Sequence, residues 1–436
     1  MGTPFKYISQ FLSRKDIWAA SGLYTLCLTL FLMPFPRGWS LYALGAFLTS
    51  GLALWTLNFR VLRELFIRKL YLILPPVIYF FLVVVRLFFE KQVWSYIEGN
   101  LMFLLIPIIG FSFFVSDYFV KKKVYIVRFF IYGILSICVF EFLRAAWNSI
   151  SFTDGTFSFK PLMDFTVSAN SEDYFSSISR FRSVQLSFLE NPIYLSMKII
   201  LAVVLMKEFR MDLKFNKPVQ LFIFIIFLVF LYFLSSRIGY FLLLCILLYY
   251  IHQFFKRLKV SWIVIFLFPL VLFSAYKISL LNPRIRSKTD LFLKNYRENR
   301  AELKDSDPRF TSWFTTLQLI KMHPISGVGL NSKDILAGEY KKNGYKNEAD
   351  LRLNAHNQFL ETQLALGISG TLVLIWMLIT PLIRRKKASD PSFICPFLII
   401  ITASMLFESI LVRQWGIMFF VLFYCIFSIP EKKSAT

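Results

Sequence analysis

Histidine is nearly missing from this chain, with three among 436 residues, and charged side chains make up only 17% of it. Acidic residues are the scarcer kind, 26 Asp and Glu against 49 Lys and Arg. Metal centres draw on clustered His, Cys, Asp and Glu at helical or turn spacing. No second His or acidic residue stands three or four positions after His356, so neither a metal nor another cofactor is expected. The five cysteines, Cys27, Cys138, Cys245, Cys395 and Cys425, all fall in apolar stretches without pairing or ligand spacing. They read as small buried apolar residues and exclude a disulfide framework. Such thin charge also excludes a soluble domain of any size, because the apolar set reaches 57% of the chain, above what soluble domains carry.

Long apolar runs take the place of charge. A bilayer core about 30 Å thick is crossed by about 20 apolar residues in a helix. About twelve runs approach that length, at 17–35, 39–57, 70–89, 98–116, 124–145, 192–207, 218–235, 237–252, 260–280, 358–383, 393–409 and 414–430. The expected fold is an all-α polytopic membrane protein. The first run lacks a small-residue cleavage site and reads as a retained helix, not a removed signal. Basic clusters recur in alternate intervals: Arg60, Arg63, Arg68 and Lys69; Lys121, Lys122 and Lys123; Lys207, Arg210, Lys214 and Lys217; Arg384, Arg385, Lys386 and Lys387. The positive-inside rule makes that side cytoplasmic and places both termini there. The net charge of +23 is largely held in these topology clusters, so lipids and not nucleic acid are the expected surroundings.

Three regions follow. Residues 1–280 hold spans one to nine with a first external loop at about 146–191, residues 281–355 form a large external loop between spans nine and ten, and residues 356–436 hold the last three spans and a cytoplasmic tail. Loops this long are usually functional or disordered. In the second loop, DPRFTSWFTTLQLI offers Asp307 as N-cap and Pro308 at the first helical position. Phe310, Trp313, Phe314, Leu317 and Ile320 then share one helical face, which suits a helix lying on the membrane or over a cavity. His323-Pro324 ends it, and Gly327 and Gly329 suit a tight turn.

The candidates for chemistry sit where these external segments meet the spans. Arg237 follows Ser235 and Ser236 between two spans with almost no connector; it is either a guanidinium holding phosphate oxygens or a snorkelling surface cation. Arg309, in the first turn of the loop helix, has the same two readings. His356 opens the span at 358–383 and is either a proton acceptor or an interfacial cap. Asn357 and Glu361 lie four apart and suit a hydrogen bond on one helix face. Trp313 and Tyr296 offer flat faces to sugar rings, although packing explains them equally. Glu98, Arg128, Glu141 and Glu408 are charges in apolar surroundings, suited to pairing inside the bundle.

Taken together, SSRIGYFLLL (235–244), DPRFTSWFTTLQLIKMHPISGVGL (307–330), AHNQFLETQLALGISG (355–370) and LFESILVRQWGIMFFVLF (406–423) resemble the O-antigen ligase and O-antigen polymerase superfamily in content and order. ENPIYLSMKIILAVVL (190–205) is similar to its Asn-Pro-bearing helix. The resemblance covers about residues 180–430 and implies a GT-C-type membrane glycosyltransferase without metal or cofactor in the bacterial inner membrane. It implies that a glycan leaves an undecaprenyl pyrophosphate carrier for lipid A–core oligosaccharide at the periplasmic face. Arg237 and Arg309 would grip the pyrophosphate and His356 would take the proton of the acceptor hydroxyl, with Arg182, Asn357, Glu361 and Trp313 as substrate contacts. An O-antigen polymerase, a protein O-oligosaccharyltransferase and, from another class, a transporter or lipid flippase remain alternatives.

Overall fold

A computed structural model describes residues 15–90, 95–153, 156–159, 186–209, 213, 215–257, 277, 308–383 and 391–430. The expected span at 260–280, the loop from 281 to 307 and Arg182 lie outside the described residues. The protein is helical, as expected. Among the described residues six helices are long and apolar enough to cross a membrane: Gly38–Leu57, Leu70–Phe88, Asp117–Trp147, Lys217–Leu234, Arg237–Lys256 and Gln358–Ile383. Shorter apolar helices, Asp16–Leu32, Ile97–Ile109, Ser392–Met405 and Gln414–Ser428, fall on other expected runs. Pro192–Glu208 adds one more, opened by Pro192 and capped by Asn191, whose side chain accepts from Ile193 N at 2.9 Å.

Local chemistry moves several expected boundaries. Ser116 accepts a hydrogen bond from Phe119 N at 3.1 Å, so Asp117–Trp147 starts before Lys121 and carries the three lysines in its first turns, not in a connector. The run at 98–116 is divided into Ser95–Asn100, Met102–Ile109 and Phe111–Phe114. Inside the expected first loop, Ile150–Thr153 pairs antiparallel with Thr156–Phe159, a small strand pair among described residues that are otherwise mostly helical.

The buried core is continuous through the bundle and rich in phenylalanine. A charge pair sits within it: Lys198 bonds Glu190 and donates to Met33 O at 3.0 Å. That anchors the end of the first helix to the Pro192–Glu208 helix. Glu141, one of the charges expected to pair internally, bonds Arg144 at 2.6 Å and accepts from Leu189 N at 3.0 Å.

The loop helix exists as expected, over Pro308–Met322, and it is its hydroxyl-bearing side that is buried in the protein. Thr311, Ser312, Thr315, Thr316 and Leu319 are buried, whereas Phe310, Phe314 and Leu317 are exposed. The helix packs on both Gln358–Ile383 and Ser332–Lys342, and Ser312 bonds Tyr340 of the latter; small side chains favour close helix approach in apolar surroundings. The apolar stripe is left facing outward.

The decisive joint lies within Gln358–Ile383, which departs from helical geometry at Gly367 (φ 68°, ψ −162°). The turn at 324–329 enters that break. Val328 N donates to Leu364 O at 2.6 Å, and Ile368 N donates to Ile325 O at 3.0 Å. An unbroken helix would join Ile368 N to Leu364 O; here each of these two groups finds its partner across the joint instead. Gln363 Nε2 adds a bond to Pro324 O at 2.6 Å. Gly327 and Gly367 both have positive φ, and a Cβ on either would strike the facing backbone. Gly367→Ala should therefore cost more than the ~1–2 kcal/mol of a left-handed non-glycine residue, lowering the melting temperature of detergent-purified protein. Gly338→Ala, at a helical site with open space around it, should instead raise that temperature slightly, because alanine is the better helix former.

Candidate functional site

The residues from Asn354 to Glu361 build a support for one imidazole. Asn354 Oδ1 accepts from His356 N at 3.1 Å and holds His356 at φ 45°, a left-handed conformation uncommon for a residue with a side chain. Asn357 then caps the helix: its Oδ1 accepts from Phe359 N at 2.9 Å and Leu360 N at 3.1 Å, while its Nδ2 donates to Leu406 O at 3.0 Å. Glu361 turns inward, is buried, and accepts from Ala355 N at 2.9 Å and from Ser332 Oγ at 3.0 Å. The expected side-chain bond between Asn357 and Glu361 does not form. Their hydrogen bonds go instead to the backbone around the histidine and to the start of the Ser332–Lys342 helix.

The imidazole is partnered by an acid that the sequence left unassigned. His356 Nδ1 lies 3.4 Å from Glu408 Oε2, and both side chains are largely shielded from solvent. Glu408 stands in the segment between the Pro391–Met405 and Gln414–Ser428 helices. The only signal in the sequence is a carboxylate in an apolar surround, which is costly there unless paired.

Phe407, beside Glu408, gathers the other candidates. Its ring meets Phe241 edge-on at 5.2 Å between centroids and Trp313 at 6.2 Å. Phe241 is four residues, one turn, after Arg237, and Trp313 is four after Arg309, so each arginine lies on the same helix face one turn from a ring touching Phe407. Trp313 Nε1 also donates to His356 O at 3.4 Å. Arg237 is set at the start of its helix by a turn in which Ser235 takes φ 52° and Ser236 Oγ accepts from Gly239 N at 3.1 Å. Arg237 is exposed, and Arg309 and His356 are half-buried. The other two histidines, His252 and His323, are exposed. Among the described residues no group of three or more His, Cys, Asp or Glu is placed to hold a metal ion.

A family model described as O-antigen ligase matches residues 222–375. This segment is similar to that family. It includes Arg237, Arg309, Trp313, His356, Asn357 and Glu361, while Glu408 lies beyond the matched stretch. No curated protein matches the chain. The family is one of membrane glycosyltransferase-type enzymes, ligases and polymerases. The segment around His356 is thus a tightly hydrogen-bonded structural unit. Glu361→Ala would strand the Ala355 amide and the Ser332 hydroxyl, at a cost of about 1–3 kcal/mol each for a buried group. The expected outcome is a lower melting temperature and faster proteolysis after residue 332, with Glu361→Gln intermediate because its amide oxygen still accepts one bond.

Proposed function

We propose that the protein is an O-antigen ligase that moves a glycan from undecaprenyl pyrophosphate to lipid A–core oligosaccharide at the periplasmic face of the bacterial inner membrane, with inversion at the anomeric carbon. In this reading about twelve spans cross the bilayer, both termini are cytoplasmic, and residues 281–355 form the periplasmic loop over the site. The observation that carries it is the contact between His356, inside the segment similar to the O-antigen ligase family, and Glu408, set against Trp313 and Phe407.

The chemistry follows from the groups present. Glu408 accepts the Nδ1 proton of neutral His356, which leaves Nε2 as the base and fixes the ring's tautomer and orientation. As the acceptor hydroxyl attacks the anomeric carbon, its proton passes to Nε2. The bond from that carbon to the pyrophosphate oxygen breaks, and the lipid pyrophosphate departs with both electrons. Negative charge then gathers on the phosphate oxygens, where Arg237 and Arg309 stabilise it; one such donor is worth about 3 kcal/mol in comparable sites. This assignment needs neither a metal nor a nucleotide sugar. Arg182 is proposed as a further donor contact, Trp313 as a platform for a sugar, and Asn357 and Glu361 as residues that keep the acceptor side in shape.

Alanine at Arg237, Arg309 or His356 should each lower glycan transfer in membranes by about 100-fold or more at matched protein level, and lysine at either arginine should restore only part of it. Glu408 acts through the histidine. Glu408→Gln should lower kcat by about 100-fold with little change in either KM, and Glu408→Asp should recover part of that loss. Near-normal transfer by the His356→Ala variant would remove the histidine from the base role. The acceptor is tested in a deletion strain. A missing ligase leaves polymerised glycan on the carrier lipid, whereas single repeats on lipid A–core would instead identify a polymerase.

A further inference from the structure

We infer that a cavity on the far side of the 406–415 segment is the acceptor-saccharide subsite, and that it takes an anionic, phosphate-bearing oligosaccharide; this rests on the ligase reading above. The cavity holds about 550 Å³, within the range of small-ligand sites. Lys333, Gln358, Glu361, Arg413, Gln414 and Trp415 line it, whereas Arg237, Arg309 and His356 do not. It is therefore a separate space from the cluster assigned to the pyrophosphate.

One segment divides the two spaces. Glu408 turns to His356, and five residues later Arg413 turns to the cavity. Leu411 N donates to Gln358 Oε1 at 2.7 Å, tying the segment to the first turn of the His356-bearing helix. A displacement that inverts the anomeric carbon needs the nucleophile and the leaving group on opposite sides. The histidine stands at the boundary between the cavity and the arginine side, where an acceptor hydroxyl reaching out of the cavity would meet it.

The lining favours hydroxylated and anionic groups over a lipid tail. Gln414 Oε1 and Trp415 Nε1 are shielded from solvent and, among the described residues, have no hydrogen-bond partner. One is an acceptor and the other a donor, and a sugar hydroxyl satisfies either kind. Lys333 and Arg413 add two positive charges, and among the described residues neither forms an ion pair. The nearby carboxylate, Glu361, already accepts from Ser332 and Ala355. Phosphate oxygens on the saccharide are the natural complement to that surplus.

The test uses the full chain in lipid nanodiscs and two probes: core oligosaccharide freed of its acyl chains but keeping its phosphates, and the same material after phosphate removal. Calorimetric titration should show the phosphorylated probe binding at least tenfold more tightly. A Lys333→Gln, Arg413→Gln double variant should lose that preference, and both positions are solvent-accessible, so the fold is retained. In transfer assays the variant should show a tenfold higher KM for the acceptor, with kcat and the KM for the carrier-linked donor within twofold of the parent. An unchanged phosphate preference in the variant, no preference in the parent, or a fall in kcat at unchanged acceptor KM would each overturn the subsite. Binding that behaves as stated, in a protein that extends carrier-linked repeats instead of loading lipid A–core, would count against the ligase reading alone.

Discussion

The exchange of backbone hydrogen bonds at Gly367 is the constraint on which the rest of the arrangement depends. A membrane helix opens by one bond, and the turn at 324–329 closes it again with two. The polar external loop is thereby locked to an apolar helix at a fixed height and register. From that joint the Pro308–Met322 helix packs on Gln358–Ile383 and Ser332–Lys342, with its small hydroxyl side chains buried. Trp313 then arrives at the carbonyl of His356. Loosening the joint would leave the loop helix without a register, and Arg309 with it.

Around the histidine, the same economy of partners recurs. Asn354, Asn357 and Glu361 all spend their hydrogen bonds on backbone or on Ser332, so the imidazole is held from below and its partner above is a single carboxylate. In low-dielectric surroundings each of these groups is expensive to leave unpaired, which makes the support and the proposed reactive group one unit. A string such as His-Asn-x-x-Leu-Glu is explained more by this scaffolding than by four substrate contacts.

Much of the fold was legible because hydropathy and N-terminal helix signals are local. Apolar length located the long helices, and Pro308 opened the loop helix where expected. The short connector before Arg237 was equally readable, but the left-handed Ser235 and the cap by Ser236 that shape it were not. What escaped depended on partners distant in the chain. The loop helix buries Thr311, Ser312, Thr315 and Thr316, because close helix approach in apolar surroundings favours small groups over the aromatic stripe that periodicity selects. Gly367 reads as one more glycine in an apolar run; only the approach of Ile325 and Val328 shows why no side chain fits there. Glu408 was visible as an isolated acid, but its partner lies 52 positions away.

Backbone hydrogen exchange of the purified protein tests the joint most directly, read on peptides covering 324–330 and 364–369. Strong, matched protection of the Val328 and Ile368 amides, lost together from both peptides when Gly367 carries a methyl group, is the predicted result. Rapid exchange at Val328 in the unaltered protein, or loss of protection in one peptide while the other stays protected, would contradict the account.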